Sequence, residues 1–196
     1  NAIIKGFAMP PTIDKMTFNP VSVKYLSNEY GGPVFLYDIG TNIVGTCEVK
    51  VTPKSSKGAT VRLRHGEMLL NNGSLNLNYS GHDTGVKAHF QEDLHILPQQ
   101  TFSHNSSIFL RSGFVWYGFQ YVSVQVSDHG IFDGLLESIK CYQMYPDMDS
   151  VGNVSFVDDS LSAKQGKIAE KLNSVQHIVQ ISQLGNLAQY APTDCP

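Results

Sequence analysis

Between Val21 and Tyr145 the chain is divided into short runs in which apolar and polar residues alternate, and few folds accept that pattern. The runs are "VSVKYL", "VFLYDI", "TCEVKV", "TVRLRH", "LNLNY", "FQEDLHIL", "SIFLRSGF", "FQYVSVQV" and "LESIKCYQMY". In "TVRLRH", Val61 and Leu63 share one face while Arg62 and Arg64 take the other. In "FQYVSVQV", Val122, Val124 and Val126 share a face. Successive side chains on a strand point to opposite sides, so a period of two marks a strand with one buried face. Clusters such as "LNNGSLN" and "SDHGIFDG" separate the runs with turn-forming residues. Many short strands between turn signals predict a mainly β chain built as an antiparallel β-sandwich.

The flanks read differently. Residues 1–20 carry the Pro-rich, aperiodic "FAMPPTIDKMTFNP" and read as a linker or lead-in strand. After residue 147 the period lengthens: Leu161, Ile168, Leu172, Val175 and Val179 fall on one helical stripe. Asp158 or Asp159 suits the N-cap, and Gly185 and Pro192 punctuate the end. Gly166 costs such a helix about 1 kcal/mol relative to Ala, so packing must hold it. The division is therefore 1–20 lead-in, 21–147 sandwich, and 148–196 linker and helix. The stripe needs a partner: the sandwich, or a helical domain to which it belongs.

A net charge of -3 with no basic block argues against nucleic acid and anionic membrane as partners. No apolar run approaches the roughly 20 residues that span a bilayer. Cys47, Cys141 and Cys195 are far apart and match no metal spacing. They read as buried or free thiols, or as one disulfide if the protein is exported. Sequons stand at Asn72, Asn78, Asn105 and Asn153, which in a eukaryotic source would favour a secreted glycoprotein. Localisation stays open, with secretion or a periplasm the compartments considered.

The residues alone do not assemble an active site. No GxSxG, Walker loop or dinucleotide fingerprint is present. His82, His89 and Asp83 could be imagined as metal ligands, but "GHDTG" reads more simply as a turn, and neither a metal nor another cofactor is expected. Glu92 and Asp93 are adjacent on a strand, so their carboxylates diverge; Asp158-Asp159 reads as a helix start. Trp116, Tyr117, Phe119 and Tyr121 form either a sugar-stacking platform or part of the core.

The order of motifs resembles the α-L-rhamnosidases of glycoside hydrolase family 78. "VFLYDIGTNIVGTCEVKV" is similar to that family's "fDlGqNiaGw", and "VRLRHGEMLLNNGSLN" to "i.lryaE.l..dG.l". "GFVWYGFQYVSV" resembles "F.yhGFRYvev", with Gln120 in place of the Arg. "VGNVSFVDDSLSAKQGKIAEKL" resembles "G.F.csd..lNki", and the closing "APTDCP" the start of "PTDCPqRErlGW". The resemblance runs from about Val21 to Pro196.

It implies an accessory β-sandwich followed by the first helix of an (α/α)6 barrel, interrupted at the active-site loop. Asp194 then matches the family's rhamnose-binding Asp, a carboxylate suited to accept hydrogen bonds from vicinal hydroxyls. The family's general acid would come about three residues after Pro196 and its general base further on. Inverting hydrolysis needs both, roughly 6.5–9.5 Å apart, so no catalytic residue is assigned within the 196. The expected function is the N-terminal portion of an inverting α-L-rhamnosidase-like hydrolase, not catalytic alone. The alternative is a non-catalytic carbohydrate-binding or interaction module. The implied partners are a rhamnose-containing glycan and the rest of the barrel or another chain.

Overall fold

A computed structural model describes residues 12–26, 33–56, 58–77, 91–101, 106–113, 115–127, 132–147, 152, 154–157 and 163–185. Among these residues nine strands precede one helix: β1 Thr12–Phe18, β2 Ser22–Leu26, β3 Val34–Ser56, β4 Thr60–Gly66 and β5 Glu92–Ile96. β6 Gln100–Thr101, β7 Ile108–Arg111, β8 Tyr117–Val126, β9 Phe132–Pro146 and α1 Ala163–Gly185 complete the order. All strand pairs are antiparallel, in the order β1-β9-β3-β8-β4-β5, with β2, β6 and β7 also pairing to β3. The sandwich expected from the alternation is met by one curled sheet, whose two limbs meet in a shared core.

β3 makes that curl. It runs 23 residues, where the alternation suggested two strands. Its first part pairs with β2 and β8, and its second with β7 and β9. Between the limbs its register against β8 jumps from Asp38↔Tyr121 to Ile43↔Phe119. Ile39, Gly40, Thr41 and Asn42 thus stand against Gln120 alone, a bulge that bends the strand. Gly40 takes φ +82° there, where a side chain is disfavoured. Gly45 permits the close approach of β9: a Cβ on it would lie 1.8 Å from the Tyr142 carbonyl oxygen.

The core joins both limbs in one cluster. Val49 and Val51 of β3 meet Val61 and Leu63 of β4 and Phe119, Val122 and Val124 of β8, all fully buried. Each such aliphatic side chain contributes roughly 1.5–3 kcal/mol by leaving water. Cys47 and Cys141 lie opposite each other on β3 and β9, are fully buried, and form a disulfide across 94 positions of sequence. Of the two readings of the cysteines, a disulfide is therefore present; Cys195 lies outside the described residues.

Other local differences have simple causes. The lead-in segment contributes β1, which pairs along β9 from Thr12↔Pro146 to Phe18↔Cys141. In "LNLNY", Leu75 makes only an isolated bridge to Leu69, because residues 68–76 close on themselves as a small hairpin. α1 touches β3 and β9 but turns its stripe outward: Ile168, Leu172, Val175 and Val179 are 42–56% exposed. The half-buried side carries Ala169, Asn173 and Gln176 instead. Asn173 anchors it by two bonds, accepting from Phe156 N–H at 2.8 Å and donating to the Phe156 carbonyl at 2.9 Å. Leu161 and the Asp158/Asp159 cap lie outside the described residues. Among those described, no helix is long and apolar enough to cross a membrane.

Candidate functional site

Two polar clusters stand out on this frame. The first is where β3 bends. Asp38 Oδ1 accepts from Gly40 N–H at 2.7 Å and from Gln120 Nε2 at 3.1 Å. Gln120 Nε2 also donates to the Tyr121 hydroxyl at 3.1 Å. Asn42, on the far side of the bulge, donates from Nδ2 to Glu67 Oε1 at 2.9 Å. Asp38, Gln120, Tyr121 and Glu67 are half-buried and Asn42 is exposed. Gln120, the departure from the rhamnosidase pattern, donates to the aspartate as a neutral amide. The corner offers carboxylates, amides and a phenol, a donor set suited to sugar hydroxyls.

The second cluster is buried at the β5 edge. β4 and β5 pair so that His65 and Asp93 both face the core, while Arg62, Arg64 and Glu92 face outward. Glu92 bridges the two arginines, with Arg64 Nε 2.7 Å and Arg62 Nε 3.4 Å away. Asp93 accepts from the Tyr117 hydroxyl at 2.8 Å. The two neighbouring carboxylates therefore diverge, as strand alternation requires.

His65 stacks on Tyr117 at 4.5 Å between ring centroids and meets Phe119 edge-on at 4.8 Å. Its Nδ1 lies 3.4 Å from the Gln91 carbonyl. Burial pushes the imidazole pKa down to about 4, with Asp93 pulling the other way. Burial, then the bond to Asp93, pushes the Tyr117 phenol up. Among the described residues, His65 Nε2, Asp93 Oδ2 and His95 Nε2 are buried without a hydrogen-bond partner. Among the described residues no group of three His, Cys, Asp or Glu is placed to hold a metal.

The aromatic run divides between core and surface. Tyr117 and Phe119 are buried, while Trp116 is 36% exposed and Tyr121 half-buried, so the four make no shared flat platform. The sequence reading missed the Tyr25–Phe35 edge-to-face pair on β2 and β3, 5.6 Å between centroids. It also missed the His65–Asp93–Tyr117 cluster, for which the signal was the shared parity of positions 63, 65 and 93. Asp194, His82, His89 and Asp83 lie outside the described residues. Of the other carboxylates, Asp14 pairs with Arg111, Glu137 with Lys50 and Asp147 with Lys15, and Glu48 accepts from the Tyr142 hydroxyl.

The described residues define a class of fold, a curled antiparallel sheet with a trailing helix. Comparison makes the class specific. The model of the family described as the bacterial α-L-rhamnosidase concanavalin-like domain matches residues 29–145, more than half of the sequence, and the chain belongs to that family. Solved α-L-rhamnosidases share its fold.

That of Dictyoglumus thermophilum is 28% identical with a TM-score of 0.67, over 95% of this chain and 18% of that one. The Streptomyces avermitilis enzyme, solved with L-rhamnose, is 23% identical with a TM-score of 0.63, over 95% and 15%. The Aspergillus terreus enzyme is 22% identical with a TM-score of 0.57, over 95% and 18%. The chain thus spans less than a fifth of the length of these three structures. No curated protein matches.

Proposed function

We propose that this chain is the N-terminal portion of an α-L-rhamnosidase-like glycoside hydrolase that releases terminal α-L-rhamnose with inversion. Residues 1–20 lead in, 21–147 form the accessory β domain, and 148–196 hold the linker and first barrel helix. Asp194 accepts hydrogen bonds from rhamnose hydroxyls, while the general acid and base come from the rest of the barrel. The carrying observation is the family match over residues 29–145 together with solved rhamnosidases that cover 95% of this chain. The outward stripe of Ile168, Leu172, Val175 and Val179 supports a helix that packs on further helices, since such a stripe gains little by facing water.

Two measurements test this. The 196-residue chain should show no turnover of an aryl α-L-rhamnoside, whereas a longer protein that includes the barrel should turn it over. In that longer protein, Asp194→Asn should raise KM for the rhamnoside. Turnover by the short chain would overturn the proposal.

The second reading, a carbohydrate-binding module, is favoured by the polar corner at Asp38, Asn42 and Gln120. Calorimetric titration with rhamnose and rhamnose-bearing polysaccharides separates the two. Heat that disappears in Asn42→Ala supports binding by the β domain itself; no heat supports the accessory reading.

A further inference from the structure

We infer that Asn72 is an acceptor for an N-linked glycan, and that the chain matures in an oxidising secretory compartment. The sequon is Asn72-Gly73-Ser74, with no proline between. Asn72 is exposed, at the tip of the 68–76 hairpin. The hairpin is closed by Leu70 N–H to the Ser74 carbonyl and Gly73 N–H to the Leu70 carbonyl, each 2.8 Å, and by Asn76 N–H to the Met68 carbonyl at 2.9 Å. Gly73 turns the chain with φ +80°.

Inside that turn the Asn72 side chain is already oriented. Its Oδ1 accepts from Ser74 N–H at 2.9 Å and from the Ser74 hydroxyl at 2.7 Å. Both bonds fall on the oxygen, so among the described residues Nδ2 keeps its hydrogens without a partner and faces solvent. These contacts span only two residues of sequence, so the turn can form before the sheet does. Asn72 is thus exposed and its amide oxygen is also engaged with the Ser74 hydroxyl.

The donor class is a lipid-diphosphate-linked oligosaccharide. Asn72 Nδ2 forms a bond to the anomeric carbon, and the bond from that carbon to the diphosphate oxygen breaks. The lipid diphosphate leaves with the electron pair, and one amide proton passes to a base of the transferase. An independent feature points to the same compartment. Cys47 and Cys141 are joined and fully buried between β3 and β9. Disulfides of this kind form and persist in secretory and extracellular settings, and rarely in a reducing cytosol. A glycan would also stand beside Met68 and Leu70, which the same hairpin leaves 51% and 40% exposed.

The chain, expressed with a signal sequence in a eukaryotic secretory host, tests this. Peptide mass spectrometry after release by a peptide N-glycosidase, which hydrolyses the asparagine–glycan amide, should show Asn72 converted to Asp in most molecules, with Cys47 and Cys141 in one disulfide-linked peptide. Asn72→Gln and Ser74→Ala should each abolish that conversion while the secreted protein keeps its melting temperature. Ser74→Ala retains the asparagine, so it separates glycan transfer from spontaneous deamidation. A bare Asn72 in chains that carry glycans at the other sequons, or chains with no glycan at all, would overturn the inference.

Discussion

Neutral His65 is wedged between Tyr117 and Phe119, and acid is the condition under which that arrangement fails. Its pKa lies at about 4 in the folded chain, first because burial disfavours the imidazolium, against an ordinary value of 6.5. The unfolded chain therefore binds the proton at higher pH. The stability held in the neutral ring is complete above about pH 6.5 and is lost as pH falls toward 4. Roughly 3 kcal/mol should go over that window by linkage. Burial moves His95 in the same direction, and Asp93, which faces both rings, opposes it. Urea unfolding at pH 7.5 and 4.5 should show the loss, and His65→Leu should flatten the acid limb; an unchanged limb in that variant would assign it elsewhere. At the bend, Gln120→Ala removes the amide that ties Asp38 to Tyr121. Its cost should be about 1 kcal/mol, the net worth of a half-buried hydrogen bond, read as a lower denaturation midpoint.

β3 and α1 make opposite predictions about tolerance. Gly45→Ala places a methyl within bonding range of the Tyr142 carbonyl. Because the atoms it meets are backbone, β3 and β9 must separate, and a loss above roughly 3 kcal/mol is expected in thermal melts. Leu172→Ser and Val175→Ser on α1 should change stability by less than about 0.5 kcal/mol in the isolated chain, since both side chains face water. A larger loss would mean the stripe is covered in solution. The same two elements show how far the sequence could be read. β4 and the second half of β8 alternate apolar with polar residues, and their apolar face meets the core while Ser123 and Gln125 are buried on the other face of β8, so their parity was visible in "TVRLRH" and "YVSVQV". β3 was not visible as one strand, because four residues bulge at Ile39–Asn42 and reset the period. The α1 stripe was readable but its direction was not: periodicity marks a face without saying what meets it. Asp38 and Gln120 are 82 residues apart, and only the β3–β8 register brings them together.

Long-range connection governs the molecule as a whole. Cys47 and Cys141 close a loop of 94 positions, so the bond removes much of the unfolded chain's freedom. Replacing both with Ala should lower stability by roughly 4.6 kcal/mol on the chain-entropy account, measured by denaturant unfolding against the oxidised parent. Reductant added to the folded protein should act slowly, because both sulfurs are fully buried. One further consequence follows from β9, which pairs with β3 from Phe132 to Gln143 and with β1 from Thr12↔Pro146. During synthesis, β1 and the distal half of β3 leave the ribosome long before their shared neighbour exists. Until β9 has been made they present unzipped backbone edges to whatever else is near. The sheet can seal only when Pro146 has cleared the exit tunnel, which makes β9 the slide fastener of the domain and chaperone capture of the nascent chain a natural companion to its biogenesis.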